Sequence, residues 1–421
     1  MVSTPRDVGG HSFGDLRRHA ARRSVPAACR PSAPKLCTGR GVGRAAYSGL
    51  VPEFPYSRLR RWPDVEADNL QAHDATDLLL VERALALDVP GAETVVIGDE
   101  YGAITLALTA AGRSGVRVHQ DLSTGRRALA RNAEALGIGG FAPHELDADL
   151  LAGARLVLLQ LPKALAELEE IADAVARWAA PEVVLVAGGR VKHMSLGQND
   201  VLARSFAHVQ AQRAERKSRL LVAAGPLPVP ESPPFPVSAR HGDLVLVAHG
   251  GAFAGPRLDI GTRTLLDVLD LDGNDAGRRV LDLGCGTGAL AVSWARARPQ
   301  DRVVATDRSA AAVASARATA SANGVADRVE VTHDDAGSAL AAGSFDTVLL
   351  NPPFHLGASV HTGAATRLFE AAARLLRPDG ELFTVYNSSL GYRAELTRLI
   401  GPTAQLRRTP KFTVTRTVRR P

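Results

Sequence analysis

The chain has 421 residues, 45% of them hydrophobic, which is too long for one ordinary domain and apolar enough for two sizeable cores. Its formal charge of +6 is unevenly spread: residues 1–50 hold nine Lys or Arg against two Asp or Glu, leaving 41 against 42 elsewhere, so the basic balance belongs to a tail and not to the body. The three cysteines, Cys29, Cys37 and Cys285, make no C-x-x-C pair and argue against a disulfide framework or a zinc site; no secretory h-region is read near Met1, and no apolar run nears the roughly 18 residues of a membrane span.

A soluble cytoplasmic monomer is therefore expected. Residues 1–52 mix Arg, Ser, Pro, Gly and Ala without helical or strand period, the composition of a disordered extension. A flexible RNA-seeking arm, an Arg-rich transit peptide and a start placed upstream of the native one all fit it. From Val65 the chain becomes periodic: strands Thr94 to Ile97, Val116 to Gln120, Leu156 to Leu161 and Glu182 to Ala187, interleaved with helices Ala103 to Ala111, Thr124 to Leu136 and Ala164 to Ala180. Six prolines in 225-GPLPVPESPPFPVSAR-240 deny that stretch helix and sheet ladders and mark a semi-rigid linker over 226–240. The alternation then resumes with helix Thr262 to Leu269, strand Arg279 to Leu283, helix Ala289 to Ala297, strand Val303 to Thr306, helix Ser309 to Ala322, strands Val329 to Thr332 and Thr347 to Leu350, helix Ala365 to Leu376, strand Leu382 to Tyr386 and helix Arg393 to Ile400; β-rich pieces near Gln405 and from Lys411 to Val418 suggest a closing hairpin. Strands alternating with helices of these lengths predict α/β domains, each a doubly wound parallel sheet with helices on both faces, over 53–225 and 241–421.

The two halves read as copies. Asp121-Leu122-Ser123 and Asp307-Arg308-Ser309 each open a helix that ends near a glycine, Gly137 or Gly324, and 157-VLLQLPK-163 occupies the place of 348-VLLNPPF-354. In the first copy 98-GDEYGA-103 stands for 284-GCGTGA-289, so the middle glycine is lost and Asp99 and Glu100 are expected to repel an acidic ligand.

In the second copy Gly284, Gly286 and Gly288 follow a strand and precede a helix, where a ligand must approach the backbone closely. Asp307 ends the next strand, where a carboxylate can accept from both ribose hydroxyls. These features alone fit a nicotinamide-dependent dehydrogenase as well. Asn351-Pro352-Pro353-Phe354 decides between them, because it resembles the signature of S-adenosylmethionine-dependent methyltransferases acting on conjugated amines. Such an amine is a poor nucleophile; the Asn351 side-chain oxygen and the Pro352 carbonyl would accept its hydrogens and favour a tetrahedral nitrogen. The paired prolines, Pro352 and Pro353, fix those acceptors, and Phe354 would stack on the base. The plain alternative is a Pro-terminated strand with a core phenylalanine.

Taken together, 259-DIGTRTLL-266, 282-DLGCGTG-288, Asp307, Asn323-Gly324, 351-NPPFH-355, 377-RPDGEL-382 and 411-KFTV-414 resemble the bacterial ribosomal RNA guanine-N2 methyltransferases built from two tandem class I methyltransferase domains. The resemblance covers Val65 to Val418. It implies an S-adenosylmethionine-dependent enzyme forming N2-methylguanine in small- or large-subunit rRNA, with a degenerate N-terminal Rossmann-like domain that docks RNA. It assigns cofactor contacts to Thr262, Asp282, Gly284, the Cys285 backbone, Gly286, Gly288, Asp307, Asp334 and Asp335, with Asp335 the better match for the adenine amine and a turn cap as the alternative. His355 is given a positioning role. Lys163, Arg190, Lys192, His193, Arg216 and Lys217 are the candidate phosphate contacts, three of them among only five lysines. Arginine outnumbers lysine nine to one, so single arginines carry little weight. A methyltransferase acting on adenine N6, cytosine N4 or protein glutamine N5, and a non-catalytic ribosome-assembly factor, are the competing functions.

Overall fold

Four strand segments, Thr94–Ile97, Leu156 to Leu159, Val280 to Leu283 and Thr347 to Leu350, are buried along their whole length. A strand buried on both faces needs helices on both sides, which is the condition of a parallel α/β sheet. A computed structural model, describing residues 54–269, 277–353 and 361–421, shows this arrangement twice.

The first half runs α1 (Ala75–Leu87), β1 (Thr94–Ile97), α2 (Ala103–Ala110), β2 (Val116–His119), α3 (Ser123–Leu136), β3 (Phe141–Pro143), α4 (Ala148–Leu151), β4 (Leu156–Gln160), α5 (Leu165–Trp178), β5 (Val184–Arg190), α6 (Leu196–Ser205), β6 (Phe206–Ala211) and β7 (Ser218–Pro226). A hairpin of β8 (Val237–His241) and β9 (Leu244–Ala248) follows. The second half runs α7 (Ile260–Leu266), β10 (Arg279–Leu283), α8 (Ala289–Ala297), β11 (Arg302–Asp307), α9 (Ala310–Ala322), β12 (Val329–His333), β13 (Phe345–Leu350), α10 (His361–Leu375), β14 (Leu376–Asn387), α11 (Arg393–Leu399), β15 (Thr403–Arg408) and β16 (Phe412–Val418).

The two seven-stranded sheets have the same order, β3-β2-β1-β4-β5-β7-β6 and β12-β11-β10-β13-β14-β16-β15. In each, the last two pairings are antiparallel, so one strand, β7 or β16, runs against the others. This is the doubly wound α/β arrangement expected, in tandem. Each sheet carries two cores. In the second half Leu290, Val292, Trp294, Val313 and Ala316 cover one face, and Phe369, Leu375 and Leu396 cover the other. Among the described residues no helix is long and apolar enough to cross a membrane.

Two features go beyond the sequence reading. The Pro-rich stretch read as a semi-rigid linker to Arg240 ends in β8, which pairs with β9. That hairpin is held by side chains of α9: the Val247 and His249 amides donate to Thr319 Oγ1 and Ser315 Oγ, both at 3.0 Å. The Asn323 carboxamide accepts from the Val245 amide (3.0 Å) and donates to its carbonyl (2.7 Å), pairing like a neighbouring strand. Ser315, Thr319 and Asn323 recur every fourth residue, so one helix face supplies the bonds an edge strand lacks.

The second, a correction, concerns the repeat. The Gly98 amide donates to His119 O (3.0 Å) and the Gly284 amide to Thr306 O (2.9 Å), which registers His119 with Thr306. The counterpart of Asp307 is therefore Gln120, and Asp121 matches Arg308; sequence spacing had matched Asp121 with Asp307. These two turns face each other. Ser123 N–H donates to Arg308 O (2.8 Å), Ala310 N–H donates to Asp121 O (2.9 Å), and Leu122 bridges Ser309 in antiparallel sense. Each bond maps onto the other when the halves are exchanged, as in the isologous contact of a symmetric dimer.

Candidate active site

The order of the second sheet reverses between β10 and β13, and ligands in such folds occupy the crevice beyond the carboxyl ends of those strands. The loop after β10 and the segment after β13 meet there around a cavity of about 380 Å³. Gly284 and Gly286 have φ of +79° and +53°, and a Cβ on either would meet, among the described residues beyond its chain neighbours, no atom within 4 Å. The left-handed backbone requires glycine, and the open side of both residues leaves room for a ligand. Asp307 shapes this loop by accepting the Gly286 amide (2.9 Å) on one oxygen and the Ser309 amide (3.0 Å) on the other.

Asp282 lies deeper, 1% exposed, and accepts from the Ala291 amide in the first turn of α8 (2.9 Å). Burial pushes its carboxyl up to about 7. The thiol of Cys285 is also buried and pushed well up, which fits a packed residue and no nucleophile.

Asn351 sits at the end of β13. Its Nδ2 donates to Thr262 Oγ1 (2.9 Å) and Asp259 Oδ2 (3.2 Å), while Asp259 also caps α7 through the Thr262 amide. A carboxylate only accepts, so the amide nitrogen must face it and the orientation of the carboxamide is fixed. Gly261 makes room, since a Cβ there would lie 2.9 Å from Asp259 Oδ2 and 3.3 Å from Asn351 Oδ1. Asn351 Oδ1 is left buried with no hydrogen-bond partner among the described residues. Pro352 and Pro353 line the same cavity with it; Phe354 and His355 lie outside the described residues.

Asp334 and Asp335 line the cavity with different local partners. Asp334 closes its own turn, accepting Ser338 Oγ at 2.6 Å and the Ala339 amide at 2.8 Å. Asp335 is ion-paired with Arg367 of α10. Sequence reasoning missed Arg367 because it discounted single arginines, and it missed Phe253, which is 61% exposed at the cavity lining. An exposed phenylalanine just ahead of 259-DIGT-262 was the available signal.

The first half keeps the frame and changes the chemistry. Val96 stands at the place of Asp282. Asp99, at the place of Cys285, supplies the missing carboxylate and accepts the Gly102, Ile104 and Thr105 amides at 3.0, 3.1 and 2.7 Å. Asp99 was expected to repel a ligand; it is instead turned into the loop and caps α2. Gln160, the counterpart of Asn351, bonds Asp77, the counterpart of Thr262. Gln120 keeps the turn bond of Asp307, accepting from the Leu122 amide (3.0 Å), without its charge.

A polar cavity of about 310 Å³ remains there, with Lys163, Arg190 and His193 in its lining. Arg190 donates to Arg216 O (3.3 Å), and the Val191 amide to Lys217 O (3.1 Å), so the cations near 190 and near 216 are brought together. Arg216 and Lys217 form a hairpin tip with φ of 50° and 61°, and Arg216 also pairs with Glu82 at 2.8 Å.

Two family models match the chain. Residues 51–226 match the family model of the RLMG N-terminal domain and residues 243–416 that of the methyltransferase small domain. The chain is 35% identical over 371 residues to the ribosomal RNA large subunit methyltransferase G of Pseudomonas paraeruginosa, covering 86% of this chain and 97% of that one. It is 36% identical over 373 residues to that of Streptomyces coelicolor, with the same coverage. Among solved structures it is similar to the T. thermophilus 16S rRNA N2 G1207 methyltransferase in complex with AdoMet and guanosine, at TM-score 0.67 and 24% identity over 83% of this chain and 92% of that one, a likeness that bears on the fold. The tandem family read from the motifs is borne out: the chain belongs to the ribosomal RNA large subunit methyltransferase G family.

Proposed function

We propose that this protein methylates the exocyclic N2 of a guanine in large-subunit ribosomal RNA, using S-adenosylmethionine. The observation that carries this reading is Asn351 Oδ1, a buried acceptor without a donor among the described residues, held by Asp259 and Thr262 beside an open glycine loop. An unpaired buried acceptor costs about 1–3 kcal/mol, so its persistence at a cavity points to a ligand hydrogen that completes it.

When bound, S-adenosylmethionine supplies an electrophilic methyl group on a positively charged sulfur that leaves as a neutral thioether. Gly284, Gly286 and Asp307 would hold its nucleoside, and the Asp259 carboxylate in the lining suits a cation. Asn351 Oδ1 and the Pro352 carbonyl accept the two amine hydrogens, draw the nitrogen lone pair out of conjugation and stabilise the positive charge that grows on nitrogen. The surplus proton is then acidic enough to pass to water. The base must leave its stack to reach the crevice, and Phe253 is placed to meet it. Lys163, Arg190, Lys192, Arg216 and Lys217 of the degenerate half would contact the RNA backbone. The large subunit is favoured over the small one by the names of the relatives that share the whole chain.

The test is transfer of labelled methyl to unmodified large- and small-subunit rRNA, both deproteinised and in subunits, followed by nucleoside digestion. Label in N2-methylguanosine of large-subunit RNA is expected, with Asn351→Ala reducing the rate about a hundredfold or more. Label in another nucleoside, or in protein, would move the enzyme to a different conjugated amine.

A further inference from the structure

The degenerate half reaches into the cofactor side of the catalytic half at two turns. At the first, which carries Asp307, the Asp121 carbonyl accepts from the Ala310 amide (2.9 Å), and its Oδ1 accepts from the Ala311 amide (2.8 Å). His333 Nε2 lies 3.0 Å from Asp121 O and 2.8 Å from Arg308 O, within reach of both carbonyls. At the second turn, Arg127 of α3 donates through Nη1 to Ser338 Oγ (3.0 Å), and its Nη2 stands 3.6 Å from Asp334 Oδ1. Nη2 is buried and has no hydrogen-bond partner among the described residues, so the Asp334 carboxylate is the charge it serves. That carboxylate is also what ties the turn, through Ser338 and Ala339.

We propose that Arg127 is a positioning residue for the cofactor: a cation of the half that lost its own site neutralises Asp334 and fixes the 334–339 turn. Asp335, next in the chain, then stands at the cavity wall in the place that receives the adenine amine. Asp121 acts in the same sense on the Asp307 turn. The proposal rests on the reading of Asp307 and Asp335 as the adenosine wall. Cofactor affinity is then a property of both halves, and an ion pair between them sets it.

The experiment uses the full chain and measures S-adenosylmethionine binding by calorimetry alongside steady-state kinetics with rRNA. Arg127→Ala is expected to weaken cofactor binding and raise the cofactor KM about tenfold, with kcat at saturating cofactor and the RNA KM within about twofold of wild type. Arg127→Lys, which keeps the charge and loses the fork, is expected to recover part of the loss. Ser338→Ala removes the far end of the contact while leaving the interface cation in place; its expected loss of about threefold keeps the idea testable should Arg127→Ala fold poorly. Unchanged cofactor affinity in Arg127→Ala and Ser338→Ala, or a loss confined to RNA binding, overturns the proposal. Asp335→Ala and Asp307→Asn separate it from its premise: if these leave cofactor affinity intact the adenosine wall is wrongly placed, and if they lower it while the Arg127 variants do not, only the role of Arg127 falls.

Discussion

Asn351 and Asp282 show how differently two polar side chains can be used within one crevice. Asn351 was legible in the sequence because the Asn-Pro-Pro-Phe run is local and its chemistry has few other uses. Its supports, Asp259 and Gly261, lie about ninety residues away in the chain and become visible only when β13 and α7 are set side by side. Asp282 binds a proton more tightly in the folded chain than in the unfolded one, with a carboxyl near 7 against an ordinary value of 3.8. The stability it lends is therefore complete below the ordinary value and is lost as pH rises through about 7. Asp282→Asn keeps an acceptor for the Ala291 amide and has no charge to bury, so the fall in Tm from pH 5 to pH 8 should be smaller in the variant than in wild type. Glu167, also held near 7 by burial, should leave a residual slope. An identical pH profile in the two proteins would mean that Asp282 is not the titrating group.

At the scale of elements, most helices and strands were written in periodicity, and the exceptions have physical causes. The β8–β9 hairpin was hidden because prolines at 226–236 suggest a chain without partners, whereas β9 takes its bonds from side chains of α9. Asn323→Ala should cost about 1–3 kcal/mol in urea unfolding, because Val245 would lose partners for both its amide and its carbonyl; a cost within error would show that water replaces the carboxamide. The β6–β7 hairpin ends in Arg216-Lys217, both at positive φ, a position that favours Asn-Gly. Two long cations kept in a conformation that costs them energy point to use of their charge. If they contact phosphates, Arg216→Ala with Lys217→Gly should weaken RNA binding and lower the slope of log affinity against log salt by about 1 per lost contact, while the fold gains stability at position 217. An unchanged salt slope would place the RNA elsewhere on this half.

The likeness of the two halves was readable from the whole sequence, but the register between them was not. Counting from Asp121 and Asp307 gave a plausible alignment that is off by one residue, and only the backbone bonds of Gly98 and Gly284 correct it. Arg127 and Arg367 were unreadable for a different reason. Both depend on contacts made across long sequence separations, and in a chain this rich in arginine nothing local marks two that matter.

The paired bonds between Ser123 and Arg308 and between Ala310 and Asp121 have the form of a homodimer seam, yet the partners are joined by one chain. In a true homodimer every substitution is made twice, so a change that helps one copy grip a substrate is also forced upon the catalytic pocket of the other. Covalent joining removes that constraint, and because the partners cannot dilute apart, the seam survives at any concentration. Specialisation of one half then needs no sacrifice in the other.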